Sequence, residues 1–318
     1  MSRTDTAAPA LPTDAPRRLL AGIDVGGTNT KVLLCTEDLV VLDRTDVPTP
    51  AHDGGAAIVR AAVAAVGALL TRQHGTLIGV GVGAAGVVDA ASGTVLVTGD
   101  SFTGWAGFGV TAAIEAALGV PATLDNDVNA FLRGEVSAGA VAGERDVLGM
   151  TLGTGVGGAL ILAGELYDGP GGAAGEIGHV PGFGDARCTC GQRGHLETLA
   201  SARSISARYA ERTGRTRHAH EVAAAAEAGD ADARAVFDAA GWGLARAILL
   251  TAGILDVRTV VIGGGVSAAW ALLEPPMRRA LEAEPPVSGA VVRVERARLG
   301  SDAVALGAAS RARALLAG

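Results

Sequence analysis

Two stretches of this chain follow one plan. Leu20-Ala-Gly-Ile-Asp-Val-Gly-Gly-Thr-Asn-Thr-Lys-Val-Leu-Leu34 and Leu148-Gly-Met-Thr-Leu-Gly-Thr-Gly-Val-Gly-Gly-Ala-Leu-Ile-Leu162 each read as an apolar strand, a Gly/Thr turn and a second apolar strand. Glycine permits positive φ in such turns and lets backbone N–H groups come close to a ligand. Successive N–H groups there form a concave anion site. A single glycine hairpin constrains little. Two of them, about 125 residues apart and each opening a new run of strands, point to a duplicated fold with two phosphate loops facing one cleft. Such an arrangement suits an enzyme that handles nucleotide phosphates.

The chain has 318 residues, enough for one large or two ordinary domains. Only 3% of it is aromatic, so the core must be built from Ala, Val, Leu and Ile. The formal charge is −7, and no cluster of Lys and Arg is dense enough for a nucleic-acid face. Cys35, Cys188 and Cys190 make an odd number in a long chain, which argues against a disulfide scaffold and for a reducing, cytoplasmic setting. Residues 1–17 carry Pro9, Pro12 and Pro16 and no apolar run, and read as a disordered tail, not a signal peptide. The longest uncharged run, Leu148 to Gly164, is patterned as a hairpin, so no membrane span is expected.

Hydrophobic periodicity predicts strands at 18–25, 30–36, 39–47, 77–82 and 121–124, and helices at 54–73, 108–118 and 126–138. The second half repeats the programme. It opens with the hairpin at 146–163, followed by an insertion at 170–198 rich in glycine, His and Cys. Helices are predicted at 199–212, 219–228, 231–252, 267–282 and 302–316, with strands at 257–262 and 290–296. Strands followed by helix–strand alternation, twice, predict two α/β domains with a cleft between them.

Several segments carry chemistry. Asp24-Val-Gly-Gly-Thr28 ends the first strand. Asn126-Asp127-Val-Asn129 follows a strand and starts a helix, where the macrodipole favours a carboxylate. A carboxylate of that kind is what phosphoryl transfer to a hydroxyl needs, to accept the proton and aim the oxygen. Gly263-Gly-Gly265 ends a strand and opens a helix, a favourable place for a phosphate. His179, Cys188, Cys190 and His195 can complete a closed tetrahedral zinc site, and the tight Cys-x-Cys-x4-His spacing is unusual without a metal. Ser201 is read as a helix cap and Cys35 as core, while His52, His74, His218 and His220 receive no role.

These motifs, in this order, resemble the ROK family of sugar kinases (repressor, open reading frame, kinase) within the actin-like ATPase superfamily. The resemblance covers roughly residues 19–316 and rests on Asp24-Val-Gly-Gly-Thr28, Asn126-Asp127-Val-Asn129, Gly153-Thr-Gly-Val-Gly157, Glu176-Ile-Gly-His179 with Cys188-Thr-Cys-Gly-Gln-Arg-Gly-His-Leu-Glu197, and Val261-Ile-Gly-Gly-Gly-Val266. It implies two actin-like (ribonuclease H-like) α/β domains: a small one at 18–123, onto which the helix at 302–316 packs, and a large one at 124–301 carrying the zinc-binding insertion 170–198. It implies ATP, Mg2+ and a structural Zn2+. By resemblance Gly26, Gly27 and Thr28 hold ATP phosphate, Asp24 orients hydrated Mg2+, and Gly153, Thr154 and Gly155 form the second phosphate loop. Gly263, Gly264 and Gly265 lie beside the adenosine. Asp127 is the base. Asn126, Glu176, His179 and Glu197 bind the sugar, with Gly86 approaching it by its backbone. His179 would serve zinc and sugar at once; relatives carry Cys where this chain has His195. A homodimer or homotetramer is also implied.

The expected reaction is transfer of the ATP γ-phosphate to the 6-hydroxyl of a free hexose. A sugar-sensing repressor and a non-catalytic sugar-binding protein are the rival classes. Only about 18 residues precede the first strand, which disfavours a DNA-binding module. Intact Asp24, Asp127 and both loops disfavour a dead site. Where glucose-using relatives carry an Asn near the sugar, this chain has Ser101 beside Asp100. A shorter side chain next to a carboxylate suits a protonated amine, so an amino-substituted glucose such as kanosamine is hypothesised, with glucose as the default.

Overall fold

In a computed structural model, residues 16–99 and 101–317 are described. The tail expected at 1–17 lies almost wholly outside them, as does Asp100. Two five-stranded sheets share one topology. The first contains β1 (Arg18–Val25), β2 (Asn29–Thr36), β3 (Val41–Pro48), β4 (Thr76–Ala84) and β7 (Ala122–Asn126) in the order β3-β2-β1-β4-β7. The second contains β8 (Val147–Leu152), β9 (Val156–Leu162), β10 (Glu165–Leu166), β11 (Thr259–Gly263) and β12 (Arg293–Arg296) in the order β10-β9-β8-β11-β12. In each, a glycine hairpin makes the antiparallel half and two crossovers make the parallel half. The duplication inferred from the hairpins therefore extends to whole sheets. The boundary expected after residue 123 falls inside β7, which runs on to Asn126 within the first sheet.

The sequence reading missed a small hairpin, β5 (Val87–Asp89) with β6 (Thr94–Val97). Its strands are too short to give a period.

Helices α1 (Gly55–Leu70) and α2 (Val110–Leu118) cover one face of the first sheet. The buried positions of α1 are Ile58, Val59, Ala62, Ala65, Val66 and Leu69, the spacing of one helical stripe. In the second half, α4 (Glu197–Ala200), α5 (Ala202–Thr213), α6 (Ala219–Glu227), α7 (Ala231–Leu255) and α8 (Trp270–Ala283) surround a core that includes Tyr209, Phe237, Leu244 and Met277. Ser201 caps α5 by accepting from the Ser204 amide at 3.1 Å, as expected. Helix α7 is long and apolar enough to cross a bilayer, but 56% of its apolar window is buried within the protein.

Two helices lie between the sheets. These are α3 (Asp127–Ala138) and α9 (Ala303–Ala317). Helix α9 packs on β1 and β4, while α3 lies against β8 and β9. They cross at glycines: a Cβ on Gly307 would stand 1.7 Å from the Ala130 carbonyl oxygen, and one on Gly134 would stand 2.2 Å from that of Ala303. The contact is backbone to backbone, so neither helix can yield by a side-chain rotation. Gly307→Ala is expected to lower stability by about 1–3 kcal/mol or more through overpacking, read as a shifted urea midpoint. An unchanged midpoint would show that the helices have room to separate. Because α3 begins at Asp127, this crossing also fixes where that carboxylate stands.

Candidate active site

Strands β1 and β7 flank β4, and both end in aspartate chemistry at the same edge of the sheet. Asp24 pairs in register with Gly83 on β4, and Asn126 pairs with Ala84. Two strand spacings separate them, about 10 Å between backbones. Asp24 is half-buried, and its pKa is pushed up to about 7, first by burial and then by the negative charge of Asp127; Lys31 opposes this and Asp46 adds to it. Burial likewise pushes Asp127 up to about 6, partly offset by the Val128 amide and aided by Glu176. Two carboxylates that resist ionising together are a natural seat for a divalent cation between or beside them.

Asn126 caps α3. Its Oδ1 accepts from the amides of Val128 at 2.8 Å and Asn129 at 3.3 Å, and its Nδ2 donates to the Gly86 carbonyl at 2.8 Å. Most of its hydrogen-bonding capacity is thus spent on local structure, leaving one amide hydrogen for a ligand. Gly86 has φ +106, and a Cβ there would stand 2.2 Å from the Val97 oxygen, so only glycine fits this turn. Asp125, one residue before the cap, is buried and held by Arg133 at 2.8 Å and by Arg311. Burial raises its pKa against both arginines. It belongs to an internal ion cluster.

The two glycine loops differ in exposure. Gly27 and Thr28 are exposed at the tip of the first, and a Cβ on Gly27 would lie 3.7 Å from the Ser101 Cβ. Ser101 therefore neighbours the first loop. In the second loop the Gly153 amide donates to the Gly155 carbonyl at 2.9 Å, and the Ala202 amide donates to the Gly153 carbonyl at 2.8 Å. A cavity of about 910 Å3 opens beside it, lined by Gly153, Thr154, Gly265 and the start of α6. Gly263 is buried against Phe131, and Gly264 turns with φ +84 against the backbone of Leu152. Of the third glycine run, then, only Gly265 reaches the cavity. A 3-10 turn at Gly265–Ala269 comes before α8, which starts three residues later than expected.

His218 and His220, left without a role by the sequence, line this cavity with Arg203, Ser206 and Glu227. Their rings stack with centroids 5.9 Å apart and planes 6° from parallel.

A second cavity, of about 580 Å3, lies between the halves of the molecule. Gly86, Asn126 and Asn129 line it from one side, and Gly158, Asp168 and Glu176 from the other. Asn129 was read in the sequence only as the last residue of the Asn126-Asp127-Val-Asn129 motif, and Asp168 was given no role. Asn129 Nδ2 donates to Asp168 Oδ1 at 3.0 Å. Asp127, His179 and Glu197 do not line this cavity.

The insertion brings four metal-ligating side chains together. Donor atoms of His179, Cys188, Cys190 and His195 all lie within 4.8 Å of one another. His179 Nδ1 is 3.3 Å from His195 Nδ1 and 3.8 Å from Cys188 Sγ; Cys190 Sγ is 3.3 Å from His195 Nδ1. Tetrahedral zinc with Zn–N near 2.0–2.1 Å and Zn–S near 2.3 Å has edges of about 3.3–3.8 Å, so the donor set fits that ion. The other ring nitrogen of His179 faces Glu176, 3.9 Å from Oε2, and that of His195 lies 3.2 Å from Gln192 Oε1. Glu197 links this cluster to the second loop: Oε2 accepts from the Val156 amide at 3.1 Å, and Oε1 accepts from the Thr189 hydroxyl at 2.9 Å and Cys188 Sγ at 3.7 Å. Cys35 sits apart in the core, its thiol pushed up to about 12 by burial.

Comparison with known proteins gives one answer across the chain. A glucokinase of Halalkalibacterium halodurans is 37% identical over 314 residues, covering 91% of this chain and 93% of its own length. The structure of a ROK family glucokinase from Streptomyces griseus in complex with glucose and AMPPNP superposes with a TM-score of 0.79 at 30% identity, covering 93% of this chain and 99% of that one. A ROK hexokinase from Thermus thermophilus gives 0.80 at 30% identity, over 94% and 99%. The fold is the expected α/β arrangement of two actin-like halves. With the ROK family profile matched over residues 20–314 and a glucokinase 37% identical over 91% of this sequence, the chain belongs to the ROK family.

Proposed function

We propose that the chain is an ATP- and Mg2+-dependent hexose 6-kinase, acting on glucose or an amino-substituted glucose such as kanosamine. The observation that carries this reading is Asp127 at the head of α3, with its pKa raised to about 6 and its charge acting on Asp24 at the foot of the first glycine loop. A base of that pKa is ionised at neutral pH yet close enough to it to take a proton from a hydroxyl during transfer.

Each part has a task. The cavity beside Gly153 and Thr154 receives the nucleoside, with His218 and His220 forming one wall. The exposed Gly27 and Thr28 of the first loop, whose turn is closed by the Gly26 amide donating to the Asn29 carbonyl at 3.1 Å, and the Gly153–Gly155 turn face the phosphates. Asp24 would hold hydrated Mg2+, which neutralises charge on the transferred phosphate. Gly86, Asn126, Glu176, His179 and Glu197 form the sugar site; Asn126 acts chiefly by holding the Gly86 carbonyl in place. Asp127 accepts the proton of the 6-hydroxyl as its oxygen attacks the γ-phosphorus and ADP departs. A structural Zn2+ held by His179, Cys188, Cys190 and His195 fixes one nitrogen of His179 and turns the other toward the sugar. A reducing, cytoplasmic setting keeps both thiols available as ligands.

The test is ADP release with a panel of hexoses. Turnover that needs both Mg2+ and a hexose, with the phosphate on the 6-oxygen by NMR, is the expected result. Sugar binding without any ADP release would make the chain a non-catalytic sugar-binding protein and overturn the proposal.

A further inference from the structure

The cavity between the two halves is lined by three residues of the proposed sugar site, Gly86, Asn126 and Glu176, and one of its walls carries an unclaimed carboxylate. Asp168 follows β10 in a turn fixed by two backbone bonds: the Ala174 amide donates to the Asp168 carbonyl at 3.0 Å, and the Gly172 amide to that of Gly169 at 3.3 Å. Gly169 and Gly172 hold φ of +70 and +69 there. Asn129, two residues beyond Asp127 on the same helix, pins Asp168 Oδ1 at 3.0 Å. Among the described residues no side chain or amide donates to Oδ2. The carboxylate is therefore oriented from the catalytic helix and keeps one acceptor free at a wall shared with Gly86, Asn126 and Glu176.

Charge around the cavity favours a cation. Asp125 is joined to both Arg133 and Arg311, a set with one formal positive charge. Asp89, Asp168 and Glu176 line the same space and bring three negative charges. Asp89 is occupied by Ser92 and the Ala91 amide, and the partner nearest Glu176 is His179. Asp168 is the carboxylate with both a fixed orientation and an open oxygen. A neutral hydroxyl could use that oxygen, but an ammonium gains a charge-assisted hydrogen bond, roughly twice as strong.

We propose that Asp168 is a specificity-determining residue that selects a hexose bearing a protonated amine over the corresponding hydroxyl sugar. The proposal rests on the kinase reading and deepens it by naming the residue that reads the substituent; Asp100 plays no part in the argument. The experiment compares kcat/KM for glucose, glucosamine and 3-amino-3-deoxyglucose in the wild type and in Asp168→Asn. The substitution keeps the size of the side chain and an oxygen for Asn129, so the Tm should hold. At least one amino sugar should exceed glucose in the wild type by about 10-fold or more, and Asp168→Asn should lower that preference by about 10–100-fold while glucose changes little. A purely structural role for Asp168 would depress all three sugars together, and that result would overturn the proposal. So would a wild type that prefers glucose to both amino sugars. Either failure leaves the kinase reading standing. A wild type that phosphorylates no hexose would sink both.

Discussion

Asp127→Asn is expected to lower kcat by about 10²–10⁴-fold while sugar binding, followed by calorimetry, stays close to wild type. Asparagine keeps the size and the helix-start position but cannot accept the hydroxyl proton. Loss of activity alone would not distinguish chemistry from folding, but the electrostatics do. The folded-state pKa of Asp127 is raised from 3.8 to about 6, chiefly by burial. The folded protein thus holds this proton more tightly than the unfolded chain, and ionising the group costs stability as pH rises from about 3.8 through about 6. Asparagine removes that cost, so the variant should have a Tm equal to or above that of the wild type at pH 8. In the wild type, kcat/KM should climb as Asp127 loses its proton near pH 6 and flatten above it, with Asp24, at about 7, broadening the rise before Mg2+ binds. A variant with near wild-type kcat would show that another group takes the proton. A collapsed Tm would show that Asp127 acts mainly as part of the helix start.

Features that repeat with a period, or that bond to near neighbours, could be read from the sequence. The two hairpins declared the duplication because an apolar strand and a glycine turn are local patterns, and the sheets built on them share one strand order. The His/Cys cluster was legible because three of its four side chains fall within eight residues, Cys188, Cys190 and His195, and only His179 comes from further away. His218 and His220 were not legible. They precede and enter α6, some sixty-five residues from Gly153 in sequence, and only the packing of α5 and α6 beside the second loop brings them to the cavity. The bond between Asn129 and Asp168 was missed for the same reason: it spans 39 positions and joins α3 to the turn after β10. Asn126 shows a different limit. Its place in the motif suggested a sugar ligand, yet its side chain caps α3 and secures Gly86, a division that composition and spacing do not encode.

Removing the zinc proposed for the insertion is expected to weaken the proposed sugar site without touching the nucleotide cavity. Protein purified without chelator should contain one zinc ion per chain, and Cys190→Ala should lose it. The choice of residue matters. Cys188 is buried, so truncating it would also leave a hole in the packing, whereas Cys190 is exposed and offers little besides its sulfur. Two residues of the proposed sugar site depend on the cluster. His179 places Nδ1 among the donor atoms of the cluster, and Glu197 accepts from the Thr189 hydroxyl, which lies in the same turn as Cys188 and Cys190. Without the ion both would lose their orientation, so the sugar KM should rise by about 10–100-fold while the KM for ATP moves little. Residues 170–198 should at the same time exchange amide hydrogen faster, since the turns there rest on glycines and ligands with few buried apolar side chains. His195→Cys is the complementary variant: thiolate is an equally good zinc ligand, so metal content and sugar KM should both stay near wild type. Cys35→Ala, in the core of the first half, should leave zinc content unchanged. A protein that is metal-free as isolated and fully active, or a Cys190→Ala variant with an unaltered sugar KM, would show that these four side chains hold the insertion together by their own hydrogen bonds.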